Sequence, residues 1–379
     1  LSEDNREFQF SLSLPFRQWQ GLGSHLKSGF FGLNKRRNFR ESRYEFGQDD
    51  INYHGKPETF FNGDKVGIIS NEEQYRFGSY VQDGTQLSSN FDGEQQIYAG
   101  YGMLELPINH RLRLIAGARY EATRIDVSSI DPSKKNGYLS ENDLLPSFNA
   151  VYELSPSINL RASYGRTLAR PTFRELAPFA SFSFVGDFTL IGNADLQRTL
   201  VDNLDLRWEH FGNSGELYAV SFFYKDFQNP IERVILNVNG EVQYQNVAEA
   251  QVLGLEIEAR HGASFIHRSL ANLQVGGNLS LFDSEVTIAP AELTLRRALI
   301  ANAPDRRPLQ GQSPFLLNLD LGYDNFETGM GVSLFYNLFG RRLDEVSLGG
   351  TPDVFEEARG TMDMTFSQQW HSYKIKFKA

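Results

Sequence analysis

Long segments in which apolar and polar residues alternate are the feature that most restricts the fold of this 379-residue chain. Between 112 and 122 every even position is apolar, whereas Arg113, Arg119 and Glu121 occupy odd positions. Successive side chains of a β-strand point to opposite faces, so this pattern predicts strands with one apolar and one polar face. The same alternation recurs at 7–16, 203–209, 255–260, 362–367 and 373–377.

The lengths of these segments and of the links between them narrow the choice of β-fold. Roughly fourteen segments occur, many of them about ten residues or longer, which is what a tilted membrane crossing needs. Short turns at 155–158, 212–215 and 370–372 alternate with longer links, and this rhythm is typical of outer-membrane barrels. The longer links are 46–91, 128–143, 169–199, 289–312 and 341–358.

Alternation alone would equally suit a soluble β-sandwich or propeller. Strand length, the short-long rhythm and the 30 Phe and 16 Tyr favour a membrane barrel instead. The sequence therefore predicts an all-β, antiparallel up-and-down transmembrane β-barrel, with residues 1–379 as one domain. Even-numbered residues of the segment 112–122 are expected to face lipid, and the charged residues of the opposite face to form cross-strand ion pairs.

Several classes of function are disfavoured by composition. A net charge of −10 and a pI near 5.3 argue against a nucleic-acid partner. There is no Cys, and the seven His show no H-E-x-x-H spacing, so no metal site is predicted. No combination of nucleophile, base and acid stands out, and we expect neither an enzyme nor a bound cofactor.

The segment NLRASYGRTLARPTFRELAPF, residues 159–179, changes from strand to helical character after Arg170 and Pro171. Thr172 and Glu175 form a T-x-x-E capping box, which predicts a short helical turn where the strand ends. Aromatic and acidic residues follow in an expected external loop, and they either stack on a ligand or pack the loop against its neighbours. These candidate ligand contacts are Phe179, Phe182, Phe184, Asp187 and Phe188.

From about Tyr98 onward the chain contains the stretches LLPSFNAVYELSPSINLRASYGRTLARPTFRELAPF, IGNADLQRTLVDNLDLRWE, VSFFYKDFQNPIE and NVAEAQVLGLEIEAR, in this order. In these stretches and in their order the chain resembles the TonB-dependent outer-membrane receptors, particularly the group common in Bacteroidetes-type bacteria. The residues that carry the family motifs are Arg161, Arg170, Pro171, Phe173, Arg174, Glu175, Gly192, Asn193, Asp195 and Leu196.

This resemblance implies a barrel of roughly 22 strands closed around a plug, in the outer membrane of a Gram-negative bacterium. It implies import of a scarce extracellular ligand, such as a siderophore, a vitamin, an oligosaccharide or a peptide, with energy transmitted by TonB. Membrane lipid, TonB and the small ligand are the expected partners. A passive porin-like or adhesive barrel is the alternative.

Two departures from the family pattern add expectations. The plug and the TonB box have no counterpart in this chain, and Ala379 stops just before an expected Asn-Leu-Leu motif. The chain is therefore expected to be an interior fragment whose first and last strands each have one bare edge and do not pair with each other. Haem receptors of the family carry a His between their F-R-A-P-like and N-P-N-L-like motifs, but none lies between Phe173 and Leu196 in this chain, which disfavours haem.

Overall fold

A computed structural model of the chain describes residues 1–47, 55–56, 58, 68–71, 74–77, 80–85, 87–181, 188–212, 215–325, 327–348 and 351–379. The first strands are β1 (Ser2–Arg17), β2 (Gly23–Phe39), β3 (Tyr44–Gly47), β4 (Ile68–Asn71), β5 (Gln74–Phe77), β6 (Tyr80–Asp83), β7 (Phe91–Pro107), β8 (Leu112–Ser129), β9 (Gly137–Ser155), β10 (Ile158–Ala169), β11 (Ala180–Ser181), β12 (Thr189–Ile191) and β13 (Thr199–Phe211). The remaining strands are β14 (Leu217–Gln228), β15 (Ile231–Ile235), β16 (Glu241–Asn246), β17 (Glu249–Gly262), β18 (Leu273–Thr287), β19 (Arg306–Arg307), β20 (Phe315–Asn325), β21 (Met330–Phe339), β22 (Arg342–Ser347), β23 (Val354–Glu356), β24 (Arg359–Trp370) and β25 (Tyr373–Lys378).

Helices are few in the described part of the chain. The α-helices are α1 (Phe173–Leu176) and α2 (Pro290–Leu299). Short 3-10 helices occupy Leu87–Ser89, Ala263–Phe265 and Arg268–Leu270. None of the helices in the described ranges is long and apolar enough to cross a membrane.

One large antiparallel sheet, which we call the wall, contains the long alternating segments. Its order is β1-β2-β7-β8-β9-β10-β13-β14-β17-β18-β20-β21-β24-β25, with β19 attached to β18. Each wall strand pairs with the next wall strand along the chain, which is up-and-down topology. The fourteen consecutive strands confirm the predicted fold class. In the described residues β1 and β25 are the two ends of the wall and do not pair, so the expectation of an unclosed barrel is confirmed.

The outward face of the wall is apolar, as the alternation predicts. Phe8 and Phe10 are 61% and 55% exposed, and on β13 Leu204 and Leu206 are 57% and 54% exposed. Tyr120, at an even position of β8, is 54% exposed. So much exposed apolar surface on one face is unusual for a soluble monomer.

The opposite face, called the inner face, carries a lattice of ion pairs. Glu209 accepts hydrogen bonds from Arg161 at 2.7 Å and from Arg207 at 2.8 Å. Arg207 also donates to Glu258 on β17 at 2.8 Å. These contacts bridge β10, β13 and β17, and they confirm the predicted rows of mixed charge.

The connections differ strongly between the two ends of the wall. At one end the links are short, for example 156–157 between β9 and β10. At the other end they include 170–198, 229–248, 288–314 and 340–358. The link 229–248 was not among the longer links predicted from the sequence, because its residues were not separated from the strands on either side.

Candidate functional site

Three long links join into a second sheet at the long-loop end, which we call the loop sheet. Its order is β11-β12-β16-β15-β22-β23. The pairs β12–β16 and β15–β22 are parallel, and they connect the links 170–198, 229–248 and 340–358 to one another. Backbone hydrogen bonds between links that are distant in sequence hold this end together as one assembly.

The helical turn α1 forms where the sequence predicts it. The Thr172 hydroxyl accepts from the Glu175 amide at 3.3 Å, and the Glu175 carboxylate accepts from the Thr172 amide at 2.7 Å. This reciprocal pair is the capping box, and it satisfies amides that the start of a helix leaves without partners. β10 ends at Ala169, so the polypeptide leaves the wall just before the Arg170–Pro171 pair.

The segment after α1 folds onto the inner face of the wall and forms an aromatic core. Phe179 is 3% exposed and stacks on Phe39 at 5.5 Å and on Phe91 at 5.7 Å between ring centroids. Of the two alternatives, stacking on a ligand or packing the loop against its neighbours, Phe179 adopts packing in this arrangement. The buried members of the core are Phe91, Ile125, Val127, Leu139, Phe173, Leu176, Ala177, Phe179 and Leu196.

Ligand contact by the loop aromatics stays a prediction. Phe182, Phe184 and Asp187 lie outside the described residues. Phe188 is 37% exposed and borders Gly240 of the link 229–248. For Phe179, contact with a ligand would require the aromatic core to open.

Two glycines of the wall allow α1 to sit this close to it, and a third glycine, just after β12, allows the loop sheet to approach α1. A Cβ at Gly93 would lie 2.9 Å from the Phe173 ring, and one at Gly137 would lie 3.0 Å from the Leu176 side chain. A Cβ at Gly192 would overlap the Ala177 carbonyl oxygen. The family motif identified Gly192 from the sequence. Gly93 and Gly137 were missed, because a glycine inside a strand indicates that something approaches closely but not which residue approaches.

The Gly-Asn-x-Asp-Leu motif joins α1 to the loop sheet. The Asn193 amide donates to the Glu175 carbonyl at 2.6 Å, and the Asn193 side chain donates to the Tyr244 carbonyl at 3.0 Å. Asp195 forms an ion pair with Lys135. Leu196, 2% exposed, completes the aromatic core. The motif residues therefore hold the long-loop end together.

The arginines of the motif region also bind neighbouring structure. Arg174 donates to the Leu190 carbonyl at 2.6 Å and lies 4.1 Å from the centroid of the Phe179 ring. Burial lowers the pKa of the Arg174 guanidinium, and the cation is compensated by the aromatic face and the carbonyl oxygen. Arg170 donates to Thr123 at 2.9 Å and forms an ion pair with Glu121.

A buried ion pair that sequence reasoning missed connects a fourth link to the loop sheet. Arg307 donates to both carboxylate oxygens of Glu232, at 3.0 and 2.6 Å, and to Glu292 of α2 at 3.2 Å. Burial opposes the charge of Arg307, but the hydrogen bonds that Arg307 donates to the Glu232 carboxylate offset this effect, and the pKa of Arg307 is raised overall. On α2, Arg296 makes a bidentate pair with Asp353 at 2.9 Å. No single-sequence signal pairs residues 75 positions apart.

A pocket of about 580 Å³, called the loop pocket, opens between these links. Carboxylate and amide side chains supply its polar groups, and no basic side chain is among the described residues that line it. Amides both donate and accept hydrogen bonds, so this lining suits a ligand rich in hydroxyl or amide groups. The polar lining residues are Asn193, Asp195, Gln197, Asn229, Gln245, Asn246, Thr287 and Glu292.

An up-and-down wall with an apolar outward face, a charged inner face and long links at one end defines the class of outer-membrane β-barrels. Residues 2–377 match the family described as "TonB dependent receptor-like, beta-barrel". The chain belongs to this family of TonB-dependent receptors.

Solved structures show the same fold at low sequence identity. The siderophore receptor PiuA from Acinetobacter baumannii is 11% identical with a TM-score of 0.65, over 99% of this chain and 51% of that chain. The ferric-catecholate import receptor Fiu from K12 E. coli is 13% identical with a TM-score of 0.63, over 99% and 50%. The chain therefore spans about half the length of these receptors.

A curated relative shares part of the sequence. The heme/hemopexin utilization protein C of Haemophilus influenzae (strain 86-028NP) is 21% identical over an alignment of 207 residues, and the match covers 48% of this chain and 28% of the relative.

Proposed function

We propose that this chain forms part of the barrel of an outer-membrane receptor that imports a scarce extracellular ligand with energy transmitted by TonB. The observation that carries the proposal is the long-loop end, where three links form one sheet above the inner face and line the loop pocket together with α2 of a fourth link. A passive pore requires an open entrance and would not require an ordered sheet of loops over it. Membership of the receptor family supports active import.

The ligand class follows from the loop pocket and from the receptors to which the chain is similar. The solved relatives named above are a siderophore receptor and a ferric-catecholate import receptor, and the siderophore class is the first candidate. The described lining has no basic side chain to pair with a strongly anionic group, and its carboxylates Asp195 and Glu292 already pair with Lys135 and Arg307. An uncharged, hydrogen-bonding part of a siderophore, an oligosaccharide or a peptide would fit it better.

Haem is disfavoured in this proposal. One relative is named for haem and hemopexin utilization, but it matches only 48% of this chain. No His occurs between Phe173 and Leu196, so the two motif regions lack the side chain that haem iron would prefer there.

The membrane setting and the partners belong to the same proposal. Bilayer lipid would cover the outward face, with the short turns in the periplasm and the long links outside the cell. A plug would fill the barrel and carry the contact with TonB. We expect the protein to act as a transporter and not as an enzyme, and to bind no nucleic acid.

Filling the loop pocket provides the test of this function. Ala291 lines the pocket from α2, whereas Leu295, one turn further along α2, is 50% exposed and lies outside it. We expect Ala291→Trp in the full-length receptor to lower uptake about tenfold or more at limiting ligand, since a filled pocket removes central contacts. Leu295→Trp should leave uptake unchanged.

The measurement is growth of a strain lacking the full gene, complemented with each variant, on ferric siderophores, haem, cobalamin or oligosaccharides as the limiting nutrient. Restored growth should also require TonB. Growth restored equally without TonB would favour the passive porin-like barrel. Equal uptake by both tryptophan variants would remove the loop pocket from the ligand path.

A further inference from the structure

A depression in the outward face lies where small side chains face each other on adjacent strands. Ala259 of β17 pairs with Gly277 of β18, which pairs with Leu319 of β20. The neighbouring outward rows are larger on both sides, with Ile257 and Leu279 in one row. Small residues between bulky rows leave a groove in an otherwise continuous apolar surface.

This groove has the size and the lining of a binding site for a hydrocarbon chain. Its volume is about 540 Å³, and its walls are almost entirely apolar. Leu317 and Leu319 form one side, and Ala263 and Ile266 close the end nearest the link 263–272 after β17. Ile266 is 64% exposed, so the groove has an apolar residue at its mouth.

A row of amphipathic rings places the mouth of the groove at the edge of the apolar face. Four rings form this row across β13, β14 and β17. The ring centroids are 6.3 Å apart between Trp208 and His210, 6.1 Å between His210 and Tyr218, and 6.1 Å between Tyr218 and His261. His261 also lines the groove. Trp and Tyr rings prefer the level of lipid headgroups, so the groove runs from the level of Trp208 and Tyr218 into the apolar belt.

All three Trp of the chain lie near the end of the wall that carries the short turns. Trp19 lies in the short turn after β1, and Trp370 ends β24 at a short turn. Both are 71% exposed. The three Trp therefore lie on the short-turn side of the wall, as the ring row beside the groove does.

Polar and basic groups follow directly after the apolar mouth. His267 and Arg268 come next to Ile266 in the chain, in the turn between β17 and β18, and both are exposed. A basic side chain at headgroup level attracts lipid phosphate. The order along the groove is therefore apolar floor, ring row and basic turn, which matches the order of acyl chain, interface and phosphate in a phospholipid.

We infer that this groove holds one acyl chain of a phospholipid from the leaflet on the short-turn side, with the phosphate beside Arg268. The inference rests on the proposed membrane setting. The groove is continuous with the apolar face that lipid would cover, and its walls offer almost no hydrogen bonds to a polar ligand. The bound lipid is a resident ligand that exchanges more slowly than its neighbours.

The test uses the full-length receptor in lipid bilayers with a trace of phosphatidylglycerol spin-labelled near the end of one acyl chain. Wild type should show a slowly exchanging, immobilised component beyond the lipid that merely surrounds the barrel. Ala259→Phe should lose this component, because the ring fills the groove from its exposed side. Ala116→Phe, on the outward face of β8 between Leu104 and Phe148, should keep it.

A second variant keeps the inference testable if Ala259→Phe assembles poorly. Arg268→Gln should keep the immobilised chain with spin-labelled phosphatidylcholine but lose any preference for phosphatidylglycerol. An unchanged component in Ala259→Phe, or an unchanged preference in Arg268→Gln, would overturn the inference. Failure of wild type to insert into bilayers at all would instead contradict the proposed function.

Discussion

Replacing Ala162 by arginine should destabilise the assembled barrel by about 2–4 kcal/mol, whereas arginine at the adjacent Ser163 should cost much less. Ala162 faces outward on β10 and pairs with Leu206, which is 54% exposed. An arginine there would place its charge in hydrocarbon. Ser163 faces inward opposite Asp205, and their side chains are 3.3 Å apart, so a new guanidinium would find a carboxylate.

The two variants differ in face but hardly in size or position, so each is the control for the other. The measurement is equilibrium unfolding of the full-length receptor in lipid vesicles, with denaturant as the variable. Equal losses at the two positions would indicate that both faces meet the same solvent, as they would not in a membrane barrel.

The second large effect concerns the buried pair of Arg307 and Glu232. Arg307→Met would leave Glu232, which is 2% exposed, as a buried carboxylate without its guanidinium partner. Breaking a buried pair in this way costs about 3–5 kcal/mol. We expect the cost to appear as easier opening of the loop sheet, measured by hydrogen exchange of the β15 amides.

Two further variants separate charge from packing. Arg306 is adjacent in sequence and pairs with Glu285 in solvent, so Arg306→Met should leave exchange nearly unchanged. The double variant Glu232→Leu with Arg307→Met should recover much of the loss, because no uncompensated charge remains. If Arg307→Met left β15 exchange at the wild-type rate, this pair would not hold the long-loop end.

The wall could be predicted from the sequence because its signal is local. Each strand carries its own alternation, as in the even and odd positions of β8, and short turns force neighbouring strands together. The capping box of α1 is equally local, since Thr172 and Glu175 are three residues apart. Such features need no knowledge of the rest of the fold.

The loop sheet could not be predicted in the same way. Its strands are 2–6 residues long, too short for a periodic pattern, and two of its pairings are parallel contacts between separate links. Phe179 illustrates the consequence. Its sequence context allowed both stacking on a ligand and packing, and the choice depends on Phe39 and Phe91 from distant strands.

The central claim, that the alternating strands of the wall cross a lipid bilayer, is tested most directly by a nitroxide scan of β13. These 379 residues contain no Cys, so single cysteines can be introduced from 203 to 208 and labelled in bilayers, in a full-length receptor whose remaining residues have been freed of Cys. Collisions of the label with oxygen, which concentrates in hydrocarbon, should peak at 204, 206 and 208 and fall at 203, 205 and 207. At the odd-numbered positions the label should instead collide with a water-soluble nickel chelate or be shielded by tight packing. Low oxygen collision at every position, with the even-numbered sites inaccessible to both reagents as in the core of a soluble sandwich, would contradict the account.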